Sequence, residues 1–127
     1  MTGQRVREHV LRESRRANVG HIGSALSIAD IVAALYGGIL RISTPDDPER
    51  DRFVLSKGHA ALALYAALAL RGWLTEAQLA TYCSDDSLLG VHPDHGLTGV
   101  DFSTGSLGHG LSIAAGSALA ARMSGSS

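Results

Sequence analysis

The sequence predicts an α/β domain that is mostly helical and carries one or two short strands, and three observations lead to that prediction. The run Arg52-Phe53-Val54-Leu55-Ser56 is rich in β-prone residues and breaks at Lys57-Gly58-His59 into an apolar stretch, the pattern of a strand turning into a helix. Apolar residues recur at helical spacing over much of the remaining chain. Near the end, "STGSLGHGLS" (residues 103–112) places three glycines within six residues, directly before an Ala-rich helical pattern.

Each element follows from local chemistry. Over residues 2–17, Val6, Val10 and Leu11 fall on one face with Arg and Glu around the rest, which is amphipathic-helix spacing. Gly20-His21-Ile22-Gly23 interrupts it. Leu26, Ile28, Ile31, Val32 and Leu35 predict a second helix over 26–35, N-capped by Ser24 or Ser27 and closed by Gly37-Gly38. A polar loop with Pro45 and Pro48 leads to the strand at 52–56. The helix expected at 60–70 is apolar almost all round, so it calls for cover by more protein than this chain offers, and self-association is expected. Thr75 with Gln78 forms a capping box ahead of a helix through Tyr82. A weak second strand is placed near 100–102 and the last helix at 111–123. Residues 1–123 then form one domain and the Ser/Gly-rich residues 124–127 a flexible tail.

A single convincing strand cannot satisfy its own edges. Either the remaining strands come from another polypeptide, or the chain is a truncated piece that packs mainly as helices. A small all-α domain in which residues 52–56 are merely extended therefore stays open.

Composition bounds the function. A chain of 127 residues with 45% hydrophobic and 18% charged content suits one small soluble domain. A net charge of -1, a pI near 6.6 and a single lysine, Lys57, leave no electrostatic footprint for nucleic acid or an anionic membrane. The longest apolar run, 60–70, is far short of the roughly 20 residues that span a bilayer. The first twenty residues lack the apolar core of a signal peptide, so a cytoplasmic protein is expected. A lone cysteine, Cys83, excludes an internal disulfide and a Cys-based zinc site; its plain reading is a small packed residue.

The chemical signal sits in turns. Four of them pair a histidine with glycine or proline: Gly20-His21-Ile22-Gly23, Lys57-Gly58-His59, Gly90-Val91-His92-Pro93-Asp94-His95 and Gly108-His109-Gly110. One loop histidine alone is usually a solvated residue. His59 stands where the strand gives way to a helix, so its ring and the free N–H groups of that turn can face one anion. The bare turn before the last helix can press main-chain groups against a flat or charged ligand. Its spacing is neither a P-loop nor GxGxxG, and a simple tight connection is an equal reading of that turn alone.

In order, these segments resemble the N-terminal part of the transketolase family, thiamine diphosphate enzymes that move two-carbon ketol units between sugar phosphates. "GHIGSALSIADIVAALY", "DRFVLSKGHAALALYAALALRG", "LLGVHPD" and "VDFSTGSLGHGLSIAAGSALAAR" carry the resemblance, which runs from about residue 5 to 123 and is closest to the separately encoded N-terminal subunit. The resemblance implies the N-terminal part of a thiamine diphosphate-binding fold. It implies that His21 contacts the sugar substrate, that His59 lies near the cofactor's diphosphate and the reacting carbons, and that His92 hydrogen-bonds the hydroxyl of the two-carbon unit. It further implies that Gly105, Ser106 and Leu107 grip the cofactor through main-chain atoms.

This sequence also departs from the family pattern. Ile22 stands where the family has proline, Ser24 falls in a stretch richer in glycine, Val91 separates Gly90 from His92, and His109 replaces a glutamine. The family's metal-binding GDG segment and following asparagine are not among these residues, nor is the glutamate that activates the cofactor's aminopyrimidine. Mg²⁺ ligands are therefore expected from a missing segment or a partner polypeptide, in a homo- or hetero-oligomer, that glutamate from a partner, and the missing strands from a segment that follows the last helix. A diphosphate carries about two or three negative charges, which one lysine and neutral histidines do not replace a metal ion in holding. The competing expectation is a non-catalytic interaction or scaffold protein that keeps the fold and has lost the chemistry. A remote option reads His92, Asp94, His95 and His109 as a metal site for hydrolysis, although His-x-x-His in a proline-containing loop is poor geometry for it.

Overall fold

The computed structural model describes residues 1–125, and they fold as helices joined by extended and turning segments. Helix α1, Gly3–Ala17, starts where the Thr2 hydroxyl accepts from the Arg5 amide and ends at Asn18, whose left-handed conformation lets its N–H reach back to the last turn. Val6 and Val10 are fully buried on its inner face.

The second predicted helix is split and displaced. Helix α2 runs Ile22–Ser27 and α3 Ala29–Ala34, with Ile28 at φ -110° between them. Ser24 and Ser27 therefore lie inside α2 and are not N-caps. The Ser27 hydroxyl donates to the Ser24 carbonyl, a side-chain bond of the kind that competes with the helical backbone. Leu35–Ile39 then widens into a π-turn before the chain leaves the helix.

Helix α4, Ala61–Leu70, follows a 3₁₀ turn at Gly58–Ala60 and is the centre of the molecule. Leucine and alanine on every side give it no polar face, so burial all round is its stable environment. Helices α1, α2, α3 and α5 pack around it. Residues 61–68 are all buried. The expectation that this helix needs cover from another chain is thus corrected: the chain covers it itself. Helix α5, Glu76–Leu79, carries the capping box of Thr75 and Gln78, but it ends at Leu79 instead of running through Tyr82. Helix α6, His109–Ser124, begins at Gly108 and is capped by Gly125, both left-handed. The tail expected at 124–127 thus begins as the last helical residue and its cap, and the rest of that expectation lies outside the described residues.

No β-strand forms among the described residues, so the predicted strands at 52–56 and 100–102 are corrected to extended segments. They do lie side by side. The Phe53 amide donates to Asp101 Oδ2 at 3.2 Å, and the Thr104 hydroxyl donates to the Leu55 carbonyl at 2.6 Å. Side chains occupy the space where ladder bonds would run, and residues 52–56 make no main-chain to main-chain hydrogen bond among the described residues. A buried ion pair locks this junction: Arg50 reaches both carboxylate oxygens of Asp101, at 2.7 and 3.0 Å.

Candidate functional site

Three histidine-bearing turns meet beside the start of α6. His21 precedes α2 at φ 61°, a left-handed conformation that costs a non-glycine residue free energy and that recurs at functional sites. Its ring lies 5.2 Å from that of His59, centroid to centroid, at 51°. His59 occupies the 3₁₀ turn at the head of α4 and is half-buried. His21 and His92 are exposed.

The turn before α6 closes on this pair from the side of Gly58. A Cβ on Gly58 would lie 2.7 Å from the Thr104 carbonyl oxygen and 2.9 Å from the Gly105 nitrogen, so only glycine permits the two turns to touch. A Cβ on Gly105 would sit 3.7 Å from the His92 ring. Gly110 repeats the device, since a Cβ there would overlap Ser56 Cα. The structure thus brings His21 to His59, the His59 turn to Thr104 and Gly105, and Gly105 to His92.

The surface these residues make is rich in unused donors. The amides of Gly105, Ser106 and Leu107 donate to no other described residue, and Ser106 and Leu107 are exposed. His109 takes the first position of α6 and is half-buried. Sequence reasoning missed three supporting residues. Lys57 reaches from the His59 turn to the Ser27 hydroxyl at 2.9 Å, Tyr65 donates from α4 to the His92 carbonyl, and Thr104 fixes the bare turn to Leu55. The signal for Lys57 was its place beside His59; Tyr65 and Thr104 gave none, because their partners are main-chain atoms far away in sequence.

Among the described residues no three His, Cys, Asp or Glu side chains are grouped to hold a metal ion. The hydrolytic reading of His92, Asp94, His95 and His109 therefore has no geometric support: His95 Nδ1 instead meets the Ser103 hydroxyl at 3.0 Å.

Over residues 4–126 the sequence matches the family described as "Transketolase, thiamine diphosphate binding domain". The chain belongs to the transketolase family. A 6-deoxy-6-sulfo-D-fructose transketolase subunit from Clostridium sp. (strain MSTE9) is 47% identical to this chain over 121 residues, covering 93% of it and 44% of the relative. An apulose-4-phosphate transketolase subunit from Phocaeicola vulgatus is 38% identical, covering 97% of this chain and 44% of the relative. A transketolase from Treponema pallidum is 42% identical, covering 93% of this chain and 18% of its own length. The chain spans less than half the length of these relatives.

The residues present suit one part of the family's cofactor and not another. Unpaired amides at 105–107, a bare Gly105 and three nearby imidazoles suit a polar heterocycle and its anionic tail. The divalent ion that accompanies a diphosphate prefers several oxygen ligands, and the described residues hold no such group.

Proposed function

We propose that this chain is the thiamine diphosphate-binding part of a transketolase-like enzyme that transfers a two-carbon ketol unit between sugar phosphates or related acceptors. The contact of His21 with His59, joined through Gly58 and Gly105 to His92, is the single observation that supports the reading best. Bound thiamine diphosphate supplies the carbanion chemistry.

The residues of this chain do the rest in this reading. The amides of Gly105, Ser106 and Leu107 and the ring of His59 hold the cofactor. His21 orients the sugar, and His92 donates to or accepts from the hydroxyls of the two-carbon unit while protons move. An imidazole so placed, directed at developing charge, is worth about 10²-fold in rate or more.

A partner polypeptide completes the site in this proposal, bringing the Mg²⁺ ligands, the remaining sheet and the activating glutamate. Three features support it. Residues 52–56 are extended but unpaired along the main chain. A cleft opens between residues 48–52 with Val54 and Ala114, Ser117, Ala118 and Ala121 of α6. Three relatives are named as transketolase subunits, and their names extend the candidate substrates to sugars other than the common sugar phosphates. No described helix is long and apolar enough to cross a membrane, and the proposed place of action is the cytoplasm.

Co-expression with a candidate partner tests the proposal. A purified complex is expected to transfer a ketol unit from a ketose phosphate to an aldose phosphate when thiamine diphosphate and Mg²⁺ are added. A stable complex that neither binds the cofactor nor transfers the unit would favour the scaffold reading. That second reading draws on α6, where Leu111, Leu119 and Met123 are exposed and Gly110 is the one buried residue.

A further inference from the structure

We propose that Tyr65 is a positioning residue that holds the His92 ring against Gly105, an inference that rests on the assignment of His92 to the site above. Tyr65 is the one polar side chain in α4, Ala61–Leu70, and it is fully buried. A buried phenol needs a partner for its hydroxyl. It finds one by donating to the His92 carbonyl at 3.0 Å, 27 residues further along the chain.

The bond matters because, among the described residues, it is the one hydrogen bond that ties the His92 main chain to the buried central helix. His92 lies in an irregular segment, and the Tyr65 hydroxyl is the one hydrogen-bond partner of its main chain among the described residues. Pro93 is buried just beyond it. Further on, the His95 amide donates to the Ser103 hydroxyl at 2.9 Å, and His95 Nδ1 meets the same oxygen at 3.0 Å. The loop is therefore tied at two points, to the central helix by Tyr65 and to the bare turn by Ser103. Between those ties the His92 ring packs over Gly105.

Tyr65 is well placed to be the rigid tie. The ring packs edge-on against Tyr82 at 6.2 Å, and α4 is the buried helix against which α1, α2, α3 and α5 pack. Burial pushes its hydroxyl far above the ordinary tyrosine range, with the nearby Tyr82, Cys83 and Asp94 adding to the shift, so it remains a donor throughout the working pH range. A phenylalanine at this position keeps the ring, its volume and its packing, and removes the donor alone.

The test is NMR of the isotopically labelled full chain, wild type against Tyr65→Phe. The wild type is expected to show a nuclear Overhauser contact between the His92 ring proton and the Gly105 α-protons, together with a slowly exchanging Tyr65 hydroxyl proton. In Tyr65→Phe the His92–Gly105 contact is expected to fall at least twofold, the His21–His59 contact to persist, and the thermal midpoint to stay within about 5 °C of wild type. An undiminished His92–Gly105 contact in the variant, or a freely exchanging hydroxyl in the wild type, overturns the inference. In the partnered enzyme the variant is expected to lose about 10-fold or more in kcat with KM changed less than threefold, since misplacement of a catalytic group acts on the reacting geometry. The NMR contacts need no cofactor, so their failure is distinguishable from a failure of the transketolase assignment, which the absence of cofactor binding by wild type would mark.

Discussion

Replacing Gly58 by alanine adds one methyl group at the place where two site turns touch. Its Cβ would lie 2.7 Å from the Thr104 oxygen, 2.8 Å from the Thr104 carbonyl carbon and 2.9 Å from the Gly105 nitrogen, while ordinary contact begins near 3.4 Å. All three are main-chain atoms, so no side-chain rotation relieves the overlap, and the turns must separate by ~0.7 Å to restore the ordinary contact distance. Overpacking of this kind costs about 1–3 kcal/mol. Against it stands a gain of about 0.4–1 kcal/mol from the reduced entropy of the unfolded chain. The net expectation is a loss of about 1–2 kcal/mol, which lowers the melting temperature by about 3–10 °C at this size. Gly116→Ala, in α6 with open space around its Cβ, is the control and should gain up to about 1 kcal/mol. Calorimetry reads the two midpoints and NMR the amide shifts of Gly105 and Ser106. A Gly58→Ala protein that melts no lower than wild type, with those amides unmoved, would refute the contact between the turns.

Three further predictions concern two charged clusters of the fold and one residue of the candidate site. Asp101→Asn leaves the buried Arg50 guanidinium without its counter-charge and should cost about 3–5 kcal/mol in urea unfolding, whereas replacing both partners by apolar residues should recover most of that loss. Burial pushes the Glu13 carboxyl up, but hydrogen bonds from Arg16 and Arg12 and the attraction of both guanidinium groups outweigh it and leave the carboxyl below its usual value of 4.5. Its contribution to stability is therefore present above about pH 4.5 and lost as pH falls through the lower folded-state value. Midpoints measured from pH 6 to pH 3 should fall more steeply in wild type than in Glu13→Gln. His21→Asn keeps a residue type that tolerates the left-handed conformation, so stability should change by about 0.5 kcal/mol or less, while ketol transfer by the partnered enzyme should fall about 10²-fold.

The sequence made the helices readable where the pattern was local. The amphipathic spacing of α1, the capping box of α5 and the apolar run of α4 are short-range facts, and each led to a real element. The bounds failed where competing local bonds intervened: the Ser27 hydroxyl reaches back to Ser24, and the chain breaks at Ile28 instead of running on from 26 to 35. The strands failed for a different reason. A strand is a relation between segments, and Asp101 and Thr104 insert their side chains where a ladder would have formed. The expected need of α4 for outside cover was also misplaced, because the large apolar side chains left exposed lie elsewhere, among them Ile31, Ile39, Leu107, Leu111, Leu119 and Met123. The histidine turns of the candidate site could be singled out by residue type, and the resemblance supplied their order. Nothing in the sequence showed that Tyr65 reaches His92 or that Gly58 makes room for Thr104, since both facts belong to tertiary packing.

The central claim is that turns far apart in sequence form one face that takes thiamine diphosphate, with its metal held from outside this chain. The most direct measurement is an NMR titration of thiamine diphosphate and Mg²⁺ into the labelled chain bound to its unlabelled partner. Saturable shifts confined to the amides of Gly105, Ser106 and Leu107 and the rings of His21, His59 and His92, appearing only when the partner is present, are the predicted result. Saturation with those resonances unmoved, or full metal-dependent binding by the chain alone, would contradict it.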